Sequence, residues 1–279
     1  MINAESFRYE GKRVLVVGGA TGMGAAAAQG ARALGATAVV MDYAEIPFDV
    51  EGKIQVDLRD VAAVDAALDS AVEAGGGFDA IFSAAGVADG TPGVMRINFI
   101  AHRHIIERLV AEGSINPGGA ICAISSVAGL SWDSQLSTLN TFLETADYAA
   151  ADKWIQEHEG TDSYTFSKQV MNCYVARQSF PFMAKGIRIN AVCPGPTDTP
   201  LARANEESWL GFANDYRAAT GAEVLTPEDI AQVMLFLNSR AATGVSGVNL
   251  LVDRGHIMSS MVGSFETGHG IVNMLLGRS

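Results

Sequence analysis

Short apolar runs alternate with helix-like segments along almost the whole of this 279-residue chain. The runs are four to six residues long, rich in valine and isoleucine, which is typical of buried parallel strands. This alternation predicts an α/β fold in which one doubly wound, parallel, seven-stranded sheet carries helices on both faces. The predicted strands are 13–17, 37–41, 53–56, 79–83, 120–125, 187–192 and 248–252. The predicted helices are 22–34, 60–73, 93–112, 163–185 and 227–237.

Two segments interrupt the alternation, but neither suggests a second domain, so we expect residues 1–279 to form one domain. Residues 130–161 have helical apolar spacing and no strand, which predicts an insertion of two short helices beside the active cleft. The alternative is that their apolar face packs on the domain or on a second subunit. That face consists of Leu136, Leu139, Phe142 and Leu143.

The tail, about 256–279, is punctuated by glycines and ends in an apolar group. Its side chains Met274, Leu275 and Leu276 are poorly suited to contact with water. We expect them to dock on a neighbouring subunit or over the cleft.

Composition excludes several classes of protein. A formal net charge of −12 and a pI near 4.8 argue against nucleic-acid binding. No apolar run approaches the roughly 20 residues that span a bilayer, so we expect a cytoplasmic protein. Cys122, Cys173 and Cys193 lack metal-ligand spacing and fit reduced thiols. His102 and His104 face different sides of a predicted helix, which predicts solvated histidines and no metal site.

Three glycines, Gly18, Gly22 and Gly24, stand between the first predicted strand and the first predicted helix. There the backbone must turn tightly and approach a pyrophosphate, while the helix N-terminus offers free N–H groups. Asp42 ends the next strand, 18 residues beyond Gly24, where a carboxylate accepts ribose hydrogen bonds and repels a 2′-phosphate. This pattern predicts a Rossmann domain that binds NAD in preference to NADP. The alternative for Asp42 is a solvated acid at a strand end.

A phenol and an ammonium group, from Tyr164 and Lys168, share one face of a predicted helix. A tyrosine ordinarily titrates near pH 10, which is too high for a base at neutral pH. The lysine charge, with the positive charge of an oxidised nicotinamide, favours phenolate. Lowering this pKa by about three units requires roughly 4 kcal/mol of differential stabilisation.

From about residue 11 to residue 255, these and further motifs resemble the short-chain dehydrogenase/reductase family. The glycines have its Gly-x-x-x-Gly-x-Gly spacing, Ser125–Gly129 resembles its strand-end serine motif, and Tyr164 to Lys168 match its Tyr-x-x-x-Lys motif. The resemblance implies an oxidoreductase that moves hydride between NAD and a small alcohol or ketone. The implied catalytic residues are Asn98, Ser126, Tyr164 and Lys168. The implied cofactor contacts are Gly18, Thr21, Gly22, Met23, Gly24, Asp42, Asp57, Leu58, Ala84, Ala85, Gly86, Tyr164, Lys168, Pro194, Gly195, Thr197 and Thr199.

The resemblance also implies a role for each catalytic residue. Ser126 donates a hydrogen bond to the substrate oxygen, and Tyr164 passes the proton. Lys168 lowers the pKa of that tyrosine and binds the ribose, and Asn98 positions water for proton exchange.

Three positions depart from the family pattern. Val17 replaces a usual threonine, Ser83 a usual asparagine and Arg254 a usual glycine. The first two changes remove side-chain hydrogen bonds that brace the cofactor loop, which predicts modest cofactor affinity.

Ser126 and Tyr164 are 38 residues apart, which resembles the bacterial 3α-hydroxysteroid dehydrogenase/carbonyl reductase subgroup. This resemblance implies a homodimer, with the family's more common homotetramer as the alternative. The loop that carries Trp209 and Phe212 favours a hydrophobic steroid-, terpenoid- or aryl-like substrate held near Ser126. The alternatives are a polyol or sugar dehydrogenase and a non-catalytic NAD-binding regulator.

Overall fold

A computed structural model describes residues 4–278 and contains the predicted sheet. The strands are β1 Arg13–Val17, β2 Thr37–Asp42, β3 Gly52–Gln55, β4 Phe78–Ser83, β5 Ile115–Ile124, β6 Arg188–Pro194 and β7 Asn249–Val252. All neighbours pair in parallel in the order β3-β2-β1-β4-β5-β6-β7, which confirms the predicted fold class. β5 begins earlier than predicted because Ile115 pairs with Phe78 across a register irregularity.

The helices lie on both faces of this sheet. They are α1 Gly22–Ala33, α2 Val61–Gly75, α3 Ala101–Ala111, α4 Leu136–Leu143, α5 Tyr148–Glu157, α6 Tyr164–Met183, α7 Pro200–Arg203, α8 Glu206–Trp209, α9 Asn214–Thr220, α10 Pro227–Asn238, α11 His256–Met261 and α12 Glu266–Leu275. A π-helical turn, Arg96–Ile100, leads into α3, and a 3-10 helix, Val127–Gln135, follows β5. Within residues 4–278 no helix combines the length and apolarity needed to cross a membrane.

Two apolar cores sandwich the sheet because successive side chains of each strand point to opposite faces. Leu15 and Val17 of β1 belong to the core under α2, α3 and α6. Val14 and Val16 of the same strand belong to the core under α1 and α10. The strand order reverses at β1, which lies between β2 and β4. A crevice for a ligand therefore opens at the carboxyl ends of these strands.

The insertion forms two helices, α4 and α5, but the prediction that their apolar face lines the cleft is wrong. Leu139, Phe142 and Leu143 are buried in the core beside α3 and α6, whereas Leu136 is 42% exposed. The Phe142 ring lies 5.8 Å from Phe99 and 5.9 Å from Phe166, measured between ring centroids. The alternative of packing on the domain is confirmed, because the core offers these rings a drier and more complete environment.

The tail folds back onto its own chain. Val272 and Ile257 are fully buried and form a small cluster with Val127, against which Leu275 and Leu276 pack. Leu275 lies over the cleft, as expected, whereas Leu276 packs on the cluster without lining the cleft. The expectation was wrong for Met274, which is 73% exposed, because the position lies on the outer face of α12.

Candidate functional site

The glycine loop forms a cradle at the carboxyl end of β1. Gly18 and Gly22 adopt positive φ angles of 83° and 56°, which glycine tolerates at little cost. A side chain at Gly18 would overlap the backbone of Ala85, and one at Gly24 would overlap the Gly18 carbonyl. Thr21 caps α1 without a side-chain hydrogen bond to the helix, which leaves its first N–H groups for a ligand.

Two adjoining clefts, of about 410 Å³ and about 350 Å³, extend from this cradle across the sheet edge. Every residue predicted to contact the cofactor lines at least one of them. Of these predicted contacts, the larger, nucleotide-side cleft is lined by Gly18, Thr21, Gly22, Met23, Gly24, Asp42, Asp57, Leu58, Ala84, Ala85, Gly86 and Thr199. The smaller, apolar cleft is lined by Met23, Ala84, Gly86, Tyr164, Lys168, Pro194, Gly195, Thr197 and Thr199.

Asp42 is oriented by the backbone at the mouth of the nucleotide-side cleft. Its Oδ2 accepts a hydrogen bond from the Ala20 N–H at 2.8 Å, and its Oδ1 accepts one from the Ala44 N–H at 2.9 Å. Each oxygen keeps a further lone pair for a ribose hydroxyl. The sequence reasoning missed Arg59, which lines the same cleft. Its guanidinium forms a 2.6 Å ion pair with Asp57 and thereby lowers the pKa of that carboxyl.

The predicted catalytic residues Ser126, Tyr164 and Lys168 meet in the apolar cleft. Ser126 follows β5 and caps the 3-10 helix by accepting the Ala128 N–H at 3.1 Å. Tyr164 begins α6, and its phenol hydrogen-bonds with the Ser126 side chain. Lys168 lies one turn later, where its Nζ donates to the Ile124 carbonyl at 2.9 Å and lies 5.4 Å from the Tyr164 ring centroid.

The expected depression of the Tyr164 pKa is absent in the protein by itself. Burial raises the pKa of Tyr164 to about 12, and the hydrogen bond with Ser126 only partly opposes this effect. Burial also lowers the pKa of Lys168 to about 8. The phenol is therefore protonated at neutral pH. It is placed to give a proton to a substrate oxygen.

Asn98 lies on the π-helical turn before α3, a distortion frequently found at functional sites. Its Oδ1 accepts the Val87 N–H at 2.8 Å, while its Nδ2 donates to the Val87 carbonyl at 3.0 Å and to Ser167 Oγ at 3.3 Å. The fully buried side chain therefore ties the loop after β4 to α6. It holds the cofactor-side loop and the catalytic helix in a fixed relation.

His102 contradicts the prediction of a solvated histidine, because only 1% of it is exposed. Its Nδ1 lies 2.6 Å from Ser83 Oγ, and its Nε2 lies 3.0 Å from the Ala85 carbonyl oxygen. The hydrogen bond to the loop therefore comes from His102, which Ser83 contacts in turn. His104 is partly buried and pairs with Asp65 at 2.7 Å. Within residues 4–278, no cluster of three or more potential ligand side chains is arranged to hold a metal ion.

The outer wall of the apolar cleft is aromatic and aliphatic. Trp209 and Phe212, the predicted substrate contacts, both line it, and the Trp209 ring centroid lies 4.8 Å from that of Tyr164. Leu275 of the tail completes the wall. Asp89, which sequence reasoning missed, also lines this cleft and accepts the Tyr164 backbone N–H at 2.6 Å. No short motif marks Asp89, because the contact joins residues far apart in sequence.

Comparisons with known proteins agree with this geometry. A family model described as enoyl-(acyl carrier protein) reductase matches residues 18–256. Short-chain dehydrogenase reductase 5 of Arabidopsis thaliana is 30% identical over 263 residues, which cover 89% of this chain and 95% of that protein. Coniferyl-alcohol dehydrogenase of Pseudomonas sp. (strain HR199 / DSM 7063) is 24% identical over 250 residues, covering 88% and 96% of the two chains.

A solved structure has the same fold. It is the 3-alpha-hydroxysteroid dehydrogenase from Pseudomonas sp. B-0831 complexed with NADH, which superposes with a TM-score of 0.72 at 22% sequence identity. The similarity covers 91% of this chain and 99% of that one.

Proposed function

The chain belongs to the short-chain dehydrogenase/reductase family, and we propose that it interconverts a hydrophobic secondary alcohol and its ketone with NAD(H). One observation carries the proposal: Ser126, Tyr164 and Lys168 converge in an apolar cleft that continues into a glycine cradle. This arrangement joins a proton-transfer group to a dinucleotide-sized site.

The cradle fits a dinucleotide because its glycines let the loop and the start of α1 pack closely against the strand ends. Any Cβ at Gly18 or Gly24 would collide with neighbouring backbone, and this close packing brings the free N–H groups of α1 to the cleft. Asp42 would bind the adenosine ribose, and Asp57 with Leu58 would flank the adenine. Bound NAD(H) supplies the hydride acceptor or donor. Asp42 is the residue that favours NAD, because its charge repels a 2′-phosphate.

The proposed chemistry of the chain concerns one proton and one substrate oxygen. Ser126 donates a hydrogen bond to that oxygen, and Tyr164 gives it a proton during ketone reduction or removes the proton during alcohol oxidation. The Lys168 ammonium lies close enough to the Tyr164 ring to favour the phenolate. Asn98 fixes the position of the loop after β4 relative to α6. Burial raises the pKa of Tyr164 to about 12 in the protein without cofactor, so its phenol carries the proton that a ketone oxygen would receive.

The lining of the cleft supports a bulky hydrophobic substrate. Trp209, Phe212 and Leu275 form one side of the cleft of about 350 Å³, which the substrate would share with the part of the cofactor held at 194–199. Each substrate CH₂ buried there contributes about 0.8 kcal/mol. Two relatives are named for coniferyl alcohol and for 3-alpha-hydroxysteroids. We therefore favour a steroid-, terpenoid- or aryl-like alcohol over a polyol, because Trp209, Phe212 and Leu275 offer a polyol hydroxyl no hydrogen-bond acceptor.

The proposal extends to location and assembly. The three cysteines are free and buried, which suits a reducing compartment such as the cytoplasm. Phe180 and Met183 lie exposed near the end of α6, where a second subunit of a homodimer or homotetramer would cover them. Sedimentation at several concentrations tests the assembly.

A substrate screen tests the proposed reaction. We expect oxidation of hydrophobic secondary alcohols with NAD, and reduction of their ketones with NADH, at kcat/KM values above those for polyols. A preference for small polyols would contradict the hydrophobic pocket. The absence of any NAD-linked turnover across both panels, with NADH still bound, would favour the non-catalytic alternative.

A further inference from the structure

Ser83 and His102 form a buried link between the sheet and the cofactor loop. Ser83 is the last residue of β4, and His102 is the second residue of α3. The Ala85 carbonyl accepts hydrogen bonds but cannot donate them, so His102 Nε2 must carry the proton of the neutral ring. His102 Nδ1 is then bare and accepts the Ser83 hydroxyl proton. Both ring nitrogens are satisfied in this single tautomer.

The Ala85 carbonyl, which this link holds, belongs to the wall of the glycine cradle. Ala85 lies directly against Gly18, where its backbone leaves no room for a side chain. The preceding residue, Ala84, donates its N–H to the Val17 carbonyl at 2.8 Å. Because a trans peptide directs its C=O and N–H to opposite sides, holding the Ala85 carbonyl also sets the direction of the Gly86 N–H. Gly86 lines both clefts.

We infer that His102, assisted by Ser83, is a positioning residue that shapes segment 84–86 for dinucleotide binding. This inference rests on the proposed function. In the family pattern, one asparagine at position 83 would brace the cofactor loop. Here Ser83 and His102 brace it together, and the hydrogen bond to the loop comes from His102 on α3. Burial keeps the ring neutral at physiological pH, since it lowers the pKa of His102 to about 4.

Four variants separate this role from simple packing. His102→Leu keeps the bulk of the side chain and removes both hydrogen bonds. His102→Gln retains an N–H donor near the Nε2 position for the Ala85 carbonyl, whereas His102→Asn retains a polar atom only near Nδ1. Ser83→Ala removes the partner hydroxyl alone. His104→Leu is the matched control, because that residue lies on the same helix and contacts Asp65 instead.

The readout is the Kd of NADH, measured by fluorescence at a temperature where circular dichroism shows each variant folded, together with kcat at saturating NADH. We expect His102→Leu and His102→Asn to weaken NADH binding at least about tenfold with kcat changed less than about threefold, since the partly buried Ala85 carbonyl has lost its donor. The Kd of NADH for the glutamine variant should stay within about threefold of the wild-type value. The Kd for His104→Leu should equal the wild-type value.

If His102→Leu fails to fold, the inference is tested by comparing the NADH affinities of the glutamine and asparagine variants. Equal NADH affinity in those two variants overturns the inference, as does an unchanged Kd in a folded leucine variant. Wild-type protein that binds no NADH overturns the proposed function and this inference with it.

Discussion

Val272→Asp should detach the C-terminal helix from the substrate cleft while leaving the rest of the fold intact. Val272 is fully buried in the small cluster with Val127 and Ile257. That cluster is separate from the two cores that sandwich the sheet. A carboxylate at this position would replace an apolar side chain that packs against Val127 and Ile257.

The magnitude follows from the contacts of α12. Complete burial of Val272 contributes about 1.5–3 kcal/mol, and partly buried Leu275 and Leu276 contribute about half as much each. The substitution removes the first contribution and adds a penalty of several kcal/mol for an unpaired buried charge. The total free-energy cost of the substitution exceeds the free energy with which these three side chains anchor α12. Local detachment of α12 therefore costs less than keeping the helix docked.

Detachment should remove Leu275 from the cleft and affect only the substrate side. We expect kcat/KM for a hydrophobic ketone to fall at least about tenfold, equivalent to losing contact with about two CH₂ groups. The Kd of NADH should stay within about twofold. Hydrogen exchange should show loss of protection across residues 266–275.

The matched control is Met274→Asp, which places the same charge on the exposed face of the same helix. It should resemble wild type in all three measurements. If the two variants behave alike, α12 does not form a wall of the substrate site and the reasoning fails.

Three further predictions concern cofactor choice and stability. Asp42→Ala with Tyr43→Arg should raise the ratio of NADP to NAD efficiency at least about tenfold; a wild-type preference for NADP would contradict the role of Asp42. Arg188 donates hydrogen bonds to the carbonyls of residues 237, 239, 242 and 245. Arg188→Met should therefore lower the free energy of unfolding by about 3 kcal/mol or more. Arg177→Met, at an exposed position, should change this free energy little. Because the pKa of His102 is lowered to about 4, only the unfolded chain binds this proton between about pH 6.5 and pH 4. This difference should cost about 2 kcal/mol of stability between pH 7 and pH 5; an equal loss in His102→Gln would contradict it.

The sheet and the glycine cradle could be predicted because each depends on local spacing. Alternating apolar runs define strands and helices, and parallel connection then brings strand ends to one edge. Gly18, Gly22 and Gly24 stand where a strand turns into a helix, and the next strand ends at Asp42. No long-range contact had to be known for these assignments.

Other features depend on which neighbour a side chain contacts, and the periodicity of apolar residues does not identify that neighbour. The spacing of His102 and His104 indicates that they face different sides, but not that one side lies under Ser83. The apolar face of the insertion was recognisable, yet its partner, the core around Phe99, was one of several possible surfaces. The rise of the Tyr164 pKa in the protein without cofactor could not be read from the sequence, because desolvation depends on everything packed around the phenol.

In the proposed NADH-linked reduction Tyr164 transfers the proton, and the variant Tyr164→Phe tests this role. The variant keeps the ring and loses the hydroxyl. Tyr174→Phe is the control, since that tyrosine lies on the same helix, is buried, and its hydroxyl has no hydrogen-bond partner among the described residues. We predict that ketone reduction by Tyr164→Phe falls at least about 100-fold with the Kd of NADH within about twofold, while Tyr174→Phe stays near wild type. Near-normal turnover by a folded Tyr164→Phe enzyme would contradict the account.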